Sequence, residues 1–100
     1  MNDGDFVRYI GDYRIHDSRI KTIESDKTNT QVSLISEDKE IIIVKFIEVK
    51  SVSYNNAEGM IIYSISEMKE QMPFRKFVFV NWDEEDHSSL EIVAQDCIIQ

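Results

Sequence analysis

Cysteine is nearly absent from this 100-residue chain: Cys97 stands alone, so no disulfide can form within it and nothing requires an oxidising compartment. In the stretch Cys97-Ile98-Ile99 the thiol reads as a small buried hydrophobe rather than a nucleophile. Proline occurs once and glycine three times, which excludes collagenous and low-complexity character. Gly4, Gly11 and Gly59 are too scattered to build a glycine-rich phosphate loop. Long apolar runs are missing as well. Ile41 to Val44 and Phe77 to Val80 are short against the roughly 20 residues that span a bilayer. Met1-Asn2-Asp3-Gly4-Asp5 carries acids where a secretory signal carries Lys or Arg, so a cytoplasmic protein without a cleaved signal is expected.

Positive charge is scarce. Eleven Lys and Arg face nineteen Asp and Glu, a formal net charge of −8. Such a field repels phosphate backbones and anionic lipid, so neither nucleic acid nor membrane is an expected partner. A basic protein is the complementary one, with solubility as the plain alternative explanation of the charge.

What is present is core material. Hydrophobic residues make up 42% of the chain, with five Phe, four Tyr and one Trp as bulky fillers. At this length they support one core, so residues 1–100 are expected to form a single domain.

Short β-like segments alternate with polar turns. The first clear one runs from Tyr13 to Glu24, with Tyr13 and Ile15 on one face. Ser25 to Asn29 is a turn, and Thr30 to Ser36 follows with Val32 and Leu34 on one face. After a turn at Glu37-Asp38-Lys39, Glu40 to Tyr54 is rich in Ile and Val, which suit a pleated surface. Its apolar residues change phase, from Ile42, Val44 and Phe46 to Ile47 and Val49 and back to Val52 and Tyr54. That pattern predicts a bulge or bend near 47–51. Asn55 to Gly59 is a strong turn cluster, and Met60 to Tyr63 reads as strand. Ile65, Met68 and Met72 then recur at helical spacing, Ser64 and Glu67 fit a capping box, and Pro73 would end the run. Phe74 to Trp82 and Leu90 to Ile99 are strands, and residues 5–10 are read as a short helix or irregular arm, with a strand edge as the other choice. The expected fold is mainly β: one antiparallel β-sheet domain, a sandwich or partly open barrel, of about six strands with one short helix at 64–72.

His16-Asp17-Ser18 holds the residue types of a catalytic triad, but neighbours on a strand point to opposite faces and do not converge on one atom. A structural polar role is expected instead, with Asp17 or Ser18 bonding backbone groups that a phase break leaves free. Trp82, Asp83, Glu84, Glu85 and Asp86 form a candidate partner-binding surface, an aromatic anchor beside acids. The loop lacks the spacing, glycine and terminal glutamate of a calcium loop, and two His with one distant Cys do not make a zinc site. No cofactor, metal or catalytic residue is expected. Asp96 falls on the core face defined by Leu90, Ile92 and Ala94. Either a bulge near Gln95 turns it outward, the preferred reading, or it is buried against Arg14, Arg19 or His16.

At Tyr13-Arg14-Ile15-His16-Asp17-Ser18-Arg19-Ile20 the chain resembles a group of small bacterial proteins that open with an I/L-H-D-S-x-I strand and continue as antiparallel β. Some members of that group are uncharacterised, and Phe77-Val78-Phe79-Val80-Asn81-Trp82-Asp83 resembles those; others look like immunity proteins, which neutralise toxins of competing strains. The resemblance brings no catalytic residue with it. It implies a non-enzymatic protein-binding domain, an immunity-type inhibitor of a basic toxin; a module that self-associates into a homo-oligomer and a small hydrolase are the alternatives.

Overall fold

Branched and aromatic residues at alternating positions drive more than half of the chain into extended structure. The computed structural model describes residues 3–100. A 3-10 turn at Asp3–Asp5 precedes seven strands: β1 (Phe6–Ile10), β2 (Arg19–Ser25), β3 (Thr30–Ile35), β4 (Ile41–Asn55), β5 (Ile62–Met68), β6 (Arg75–Asn81) and β7 (Ser89–Ile99). All pairings are antiparallel, in the order β1-β5-β6-β7-β4-β3-β2. The sheet curls until β2 meets the chain ahead of β5. Backbone bonds run from Asp17 N to Ile62 O, Ile20 N to Met60 O, Gly59 N to Ile20 O and Ile62 N to Ser18 O, and Arg19 bridges Ile61.

The curled sheet encloses one cluster that includes Ile20, Leu34, Ile42, Phe46, Ile62, Ile65, Phe77 and Ile92. Phe46 meets Phe77 and Phe79 with ring centroids 5.1 and 5.9 Å away, a tilted geometry that suits aromatic quadrupoles. Among the described residues no helix is long and apolar enough to cross a membrane.

The helix expected at 64–72 does not form. Residues 62–68 are β5, paired with both β1 and β6, and the register against β6 shifts between Ile62 and Ser64. Ile65 and Met68 are both buried on this strand three residues apart, a spacing that imitates a helical face. Ser64 and Glu67 form no capping box: Ser64 Oγ is buried without a hydrogen-bond partner, and Glu67 bonds Arg75. Met72 is 89% exposed in the turn before β6.

Two further readings are corrected. Residues 6–10 are strand β1, the alternative to the arm favoured above, because β5 offers its edge to them. Tyr13 to Asp17 is a run of turns, not strand; Tyr13 points into solvent while Ile15 enters the core. The phase break in β4 is where the pattern placed it, with a register shift against β7 between Val49 and Ser51. Glu48 there adopts φ +54°, its N–H donating to Asn29 Oδ1 at 3.2 Å. Asp96 is exposed, as preferred, but no register shift separates Ala94 from Asp96. The strand carries Asp96 out to the rim, where its carboxylate accepts from Arg75 Nη1 at 3.1 Å rather than from Arg14, Arg19 or His16.

Candidate functional site

The turns between β1 and β2 are tight, and two backbone conformations set them. Gly11 has φ +92°, and a Cβ there would lie 2.6 Å from Ile15 Cγ1, so only glycine fits without movement. Asp17 has φ +64°, a left-handed geometry that Asp tolerates better than most residues. Between them, Asp12 accepts from Arg14 N at 2.9 Å and from its guanidinium at 3.0 Å. The side-chain bond from Arg14 holds the Asp12 carboxyl below its usual range.

This geometry separates the three residues of the tripeptide. Ser18 is fully buried, and its Oγ donates to Ile15 O at 2.7 Å. It therefore supports the turn, the structural role considered for it above. The hydroxyl is bonded to Ile15 O and His16 Nδ1 to Tyr63 O, so these three residues are not assembled as nucleophile, base and acid. Asp17 bonds the backbone through its N–H, while its carboxylate lies 3.5 Å from His16 Nε2.

His16 points outward and Nδ1 lies 2.9 Å from Tyr63 O. With that bond the ring stands edge-on to two aromatic rings, Tyr63 at 4.9 Å and Trp82 at 5.8 Å. Tyr63 and Trp82 are stacked, centroids 5.7 Å apart and planes 13° from parallel. The pair is nonetheless open to solvent, Tyr63 45% and Trp82 55% exposed. Two segments remote in sequence thus build one aromatic surface. Tyr63 was missed from the sequence because Met60 to Tyr63 reads as an apolar strand; the bulge that turns Tyr63 outward is what recruits it.

The acidic loop follows directly. Asn81 Oδ1 accepts from Asp83 N at 2.9 Å, Asp83 Oδ1 from Glu85 N at 2.9 Å, and Asp86 Oδ2 from Asn81 Nδ2 at 3.0 Å. Asp86 Oδ1 also accepts from Ser88 N and Oγ. The Asn81 bond lowers the Asp86 pKa from its ordinary value. Asp83 and Asp86 are thus committed to the loop's own shape, as such side chains often are in turns. Glu84 and Glu85, both exposed, have side chains engaged in no hydrogen bond or ion pair among the described residues.

A second polar group joins β5, β6 and β1. Glu67, 6% exposed, receives Arg75 Nε at 3.0 Å and Nη2 at 2.8 Å, with Arg8 Nε at 3.5 Å. Arg75 lies over the Phe77 ring at 5.1 Å. The Arg75 side-chain bonds lower the Glu67 pKa. Beside this group burial pushes the Cys97 thiol up to about 12, which suits a packing residue and not a nucleophile. Among the described residues no three His, Cys, Asp or Glu are grouped to hold a metal ion. The chain matches no protein-family model, no curated protein and no solved structure.

Proposed function

We propose that this chain is a non-enzymatic protein-binding domain that takes a basic partner on the surface formed by His16, Tyr63 and Trp82, flanked by Glu84 and Glu85. The observation that carries this reading is the exposed Tyr63–Trp82 stack. A folded chain gains little by leaving two large rings half in water, whereas Tyr and Trp are the residues that most often anchor interfaces. Their faces attract guanidinium or ammonium groups, and the two uncommitted glutamates add the matching charge. The stretch that resembles the group as a whole contributes His16 to this surface, and the stretch that resembles its uncharacterised members contributes Trp82. An inhibitor of a basic toxin is accordingly the specific form of the proposal.

Affinity capture from the native cell, run in parallel with the wild-type chain and Trp82→Ala, tests it. The expected result is a basic protein retained by the wild type and lost by the variant. Capture of the same proteins by both would overturn the reading.

One observation favours a second reading, self-association. Among the described residues β1 pairs on one side only, and Phe6, Val7 and Tyr9 are exposed along it. Sedimentation that stayed monomeric at all concentrations would remove that alternative.

A further inference from the structure

β4 is longer than the strand that covers one of its sides. Its pairing with β3 ends at Phe46, whereas its pairing with β7 continues to Asn55. The tip of the β2–β3 hairpin covers the first exposed positions, Val49 N donating to Thr28 O at 2.6 Å and Glu48 N to Asn29 Oδ1. From Lys50 to Asn55, the described residues provide no backbone hydrogen bond other than those to β7.

Natural edges are usually blunted by charge, proline or a bulge. Here the bulge between Val49 and Ser51 guards only the beginning, and Lys50 is drawn aside over the Phe74 ring at 5.3 Å. Ser51 to Asn55 carries neither charge nor proline.

A groove of about 610 Å³ opens beside this edge, between Ile23 and Ser25 of β2 and Val52 and Tyr54 of β4. Ile23 and Val52 are partly buried against the core, while Tyr54 is 67% exposed. β2 also lacks a second strand there: its backbone bonds to the chain ahead of β5 end at Ile20. Glu58 lies in the groove wall, and Glu48 precedes Val49 on β4. These two glutamates have no ion-pair partner among the described residues.

We propose that the 50–55 edge of β4 receives an extended basic segment of a partner protein as an added strand. Its backbone completes the open ladder, one apolar side chain rests on Ile23 and Val52, and its Lys or Arg side chains face Glu48 and Glu58. Strand addition of this kind draws affinity from main-chain bonds and selectivity from alternate side chains. The inference does not depend on the Trp82 surface.

Amide hydrogen exchange with a synthetic peptide of alternating lysine and valine tests it. The expected result is slowed exchange at Ser51 to Asn55 on saturation, no effect from a glutamate–valine peptide, and binding weakened about tenfold in Glu48→Lys/Glu58→Lys, as for lost charge complementarity. Protection at Ser51 to Asn55 should persist in Trp82→Ala, because it reports this edge and not the His16, Tyr63 and Trp82 surface. Unaltered exchange at 51–55, equal protection by the acidic peptide, or a dimer that occupies this edge with a second copy would each overturn the proposal.

Discussion

Trp82 stacks on Tyr63 at the surface, 5.7 Å between centroids, and the Trp82 backbone N–H donates to Ile61 O at 3.0 Å. The main-chain bond holds the end of β6 beside the start of β5, so the two rings are placed by the sheet and not by their own attraction. Both rings remain about half exposed. Replacing either should therefore cost little stability. We expect Trp82→Ala and Tyr63→Ala each to lower unfolding free energy by about 1 kcal/mol or less, the scale of one exposed aromatic pair. Urea denaturation of the two variants checks this; a loss several times larger would make the stack a folding element.

The Glu67–Arg75 pair has the opposite character. Glu67 is buried, so removing Arg75 leaves a carboxylate without its bidentate partner. Arg75→Ala should cost on the order of 2–3 kcal/mol, below the range for a fully buried pair because Arg75 is partly exposed. The pH sign follows from the lowered Glu67 pKa. The stabilisation is complete above the unfolded value of about 4.3 and disappears as pH falls through the folded one. Urea midpoints at pH 7 and pH 3 should converge more closely for Glu67→Gln than for the wild type. An identical acid loss in both would contradict the assignment.

Backbone geometry, not side-chain bonding, should govern substitutions at Asp17. With φ +64°, Asp17→Asn should be near neutral, and Asp17→Val should lose about 1–2 kcal/mol, the cost of a left-handed branched residue. Gly11→Ala should also destabilise, because its Cβ would meet Ile15 and Ile99. Ser18→Ala should cost on the order of 1 kcal/mol through its lost bond to Ile15 O. Thermal unfolding of the four variants gives the ranking; Asp17→Val as stable as Asp17→Asn would refute it.

The strands were legible wherever alternation ran unbroken, as in Val32 and Leu34 or Leu90, Ile92 and Ala94. They were misread at 64–72, where Ile65, Met68 and Met72 recur at helical spacing although Ile65 and Met68 are both buried on β5. Tyr63, read only as part of an apolar strand, is the residue that joins His16 to Trp82. Glu67 was read as part of a capping box because a buried acid paired with Arg75 needs a contact between strands that local spacing does not encode. Turns were easier to locate than to interpret. His16 to Ser18 was read as a phase break within a strand, whereas Tyr13 to Asp17 is a run of turns in which the left-handed Asp17 and the inward Ser18 depend on Gly11 and on the bonds to Ile62.

The charge prediction separates two kinds of acid in one loop. Asp83 and Asp86 accept hydrogen bonds within residues 81–88, whereas the Glu84 and Glu85 side chains accept none. Asp86→Asn should therefore loosen the loop and lower thermal stability, while Glu84→Gln/Glu85→Gln should leave it unchanged. Binding should respond in the reverse order. Unpaired exposed carboxylates beside Trp82 act on an approaching cation through a field screened over about 8 Å at physiological salt. Association of an arginine-rich peptide, followed by Trp82 fluorescence in stopped flow, should slow steeply from low to high salt in the wild type. The double glutamine variant should be slower at low salt and less sensitive to added salt. An association rate indifferent to salt, or unaltered by the two substitutions, would leave the acidic balance with solubility as its remaining explanation.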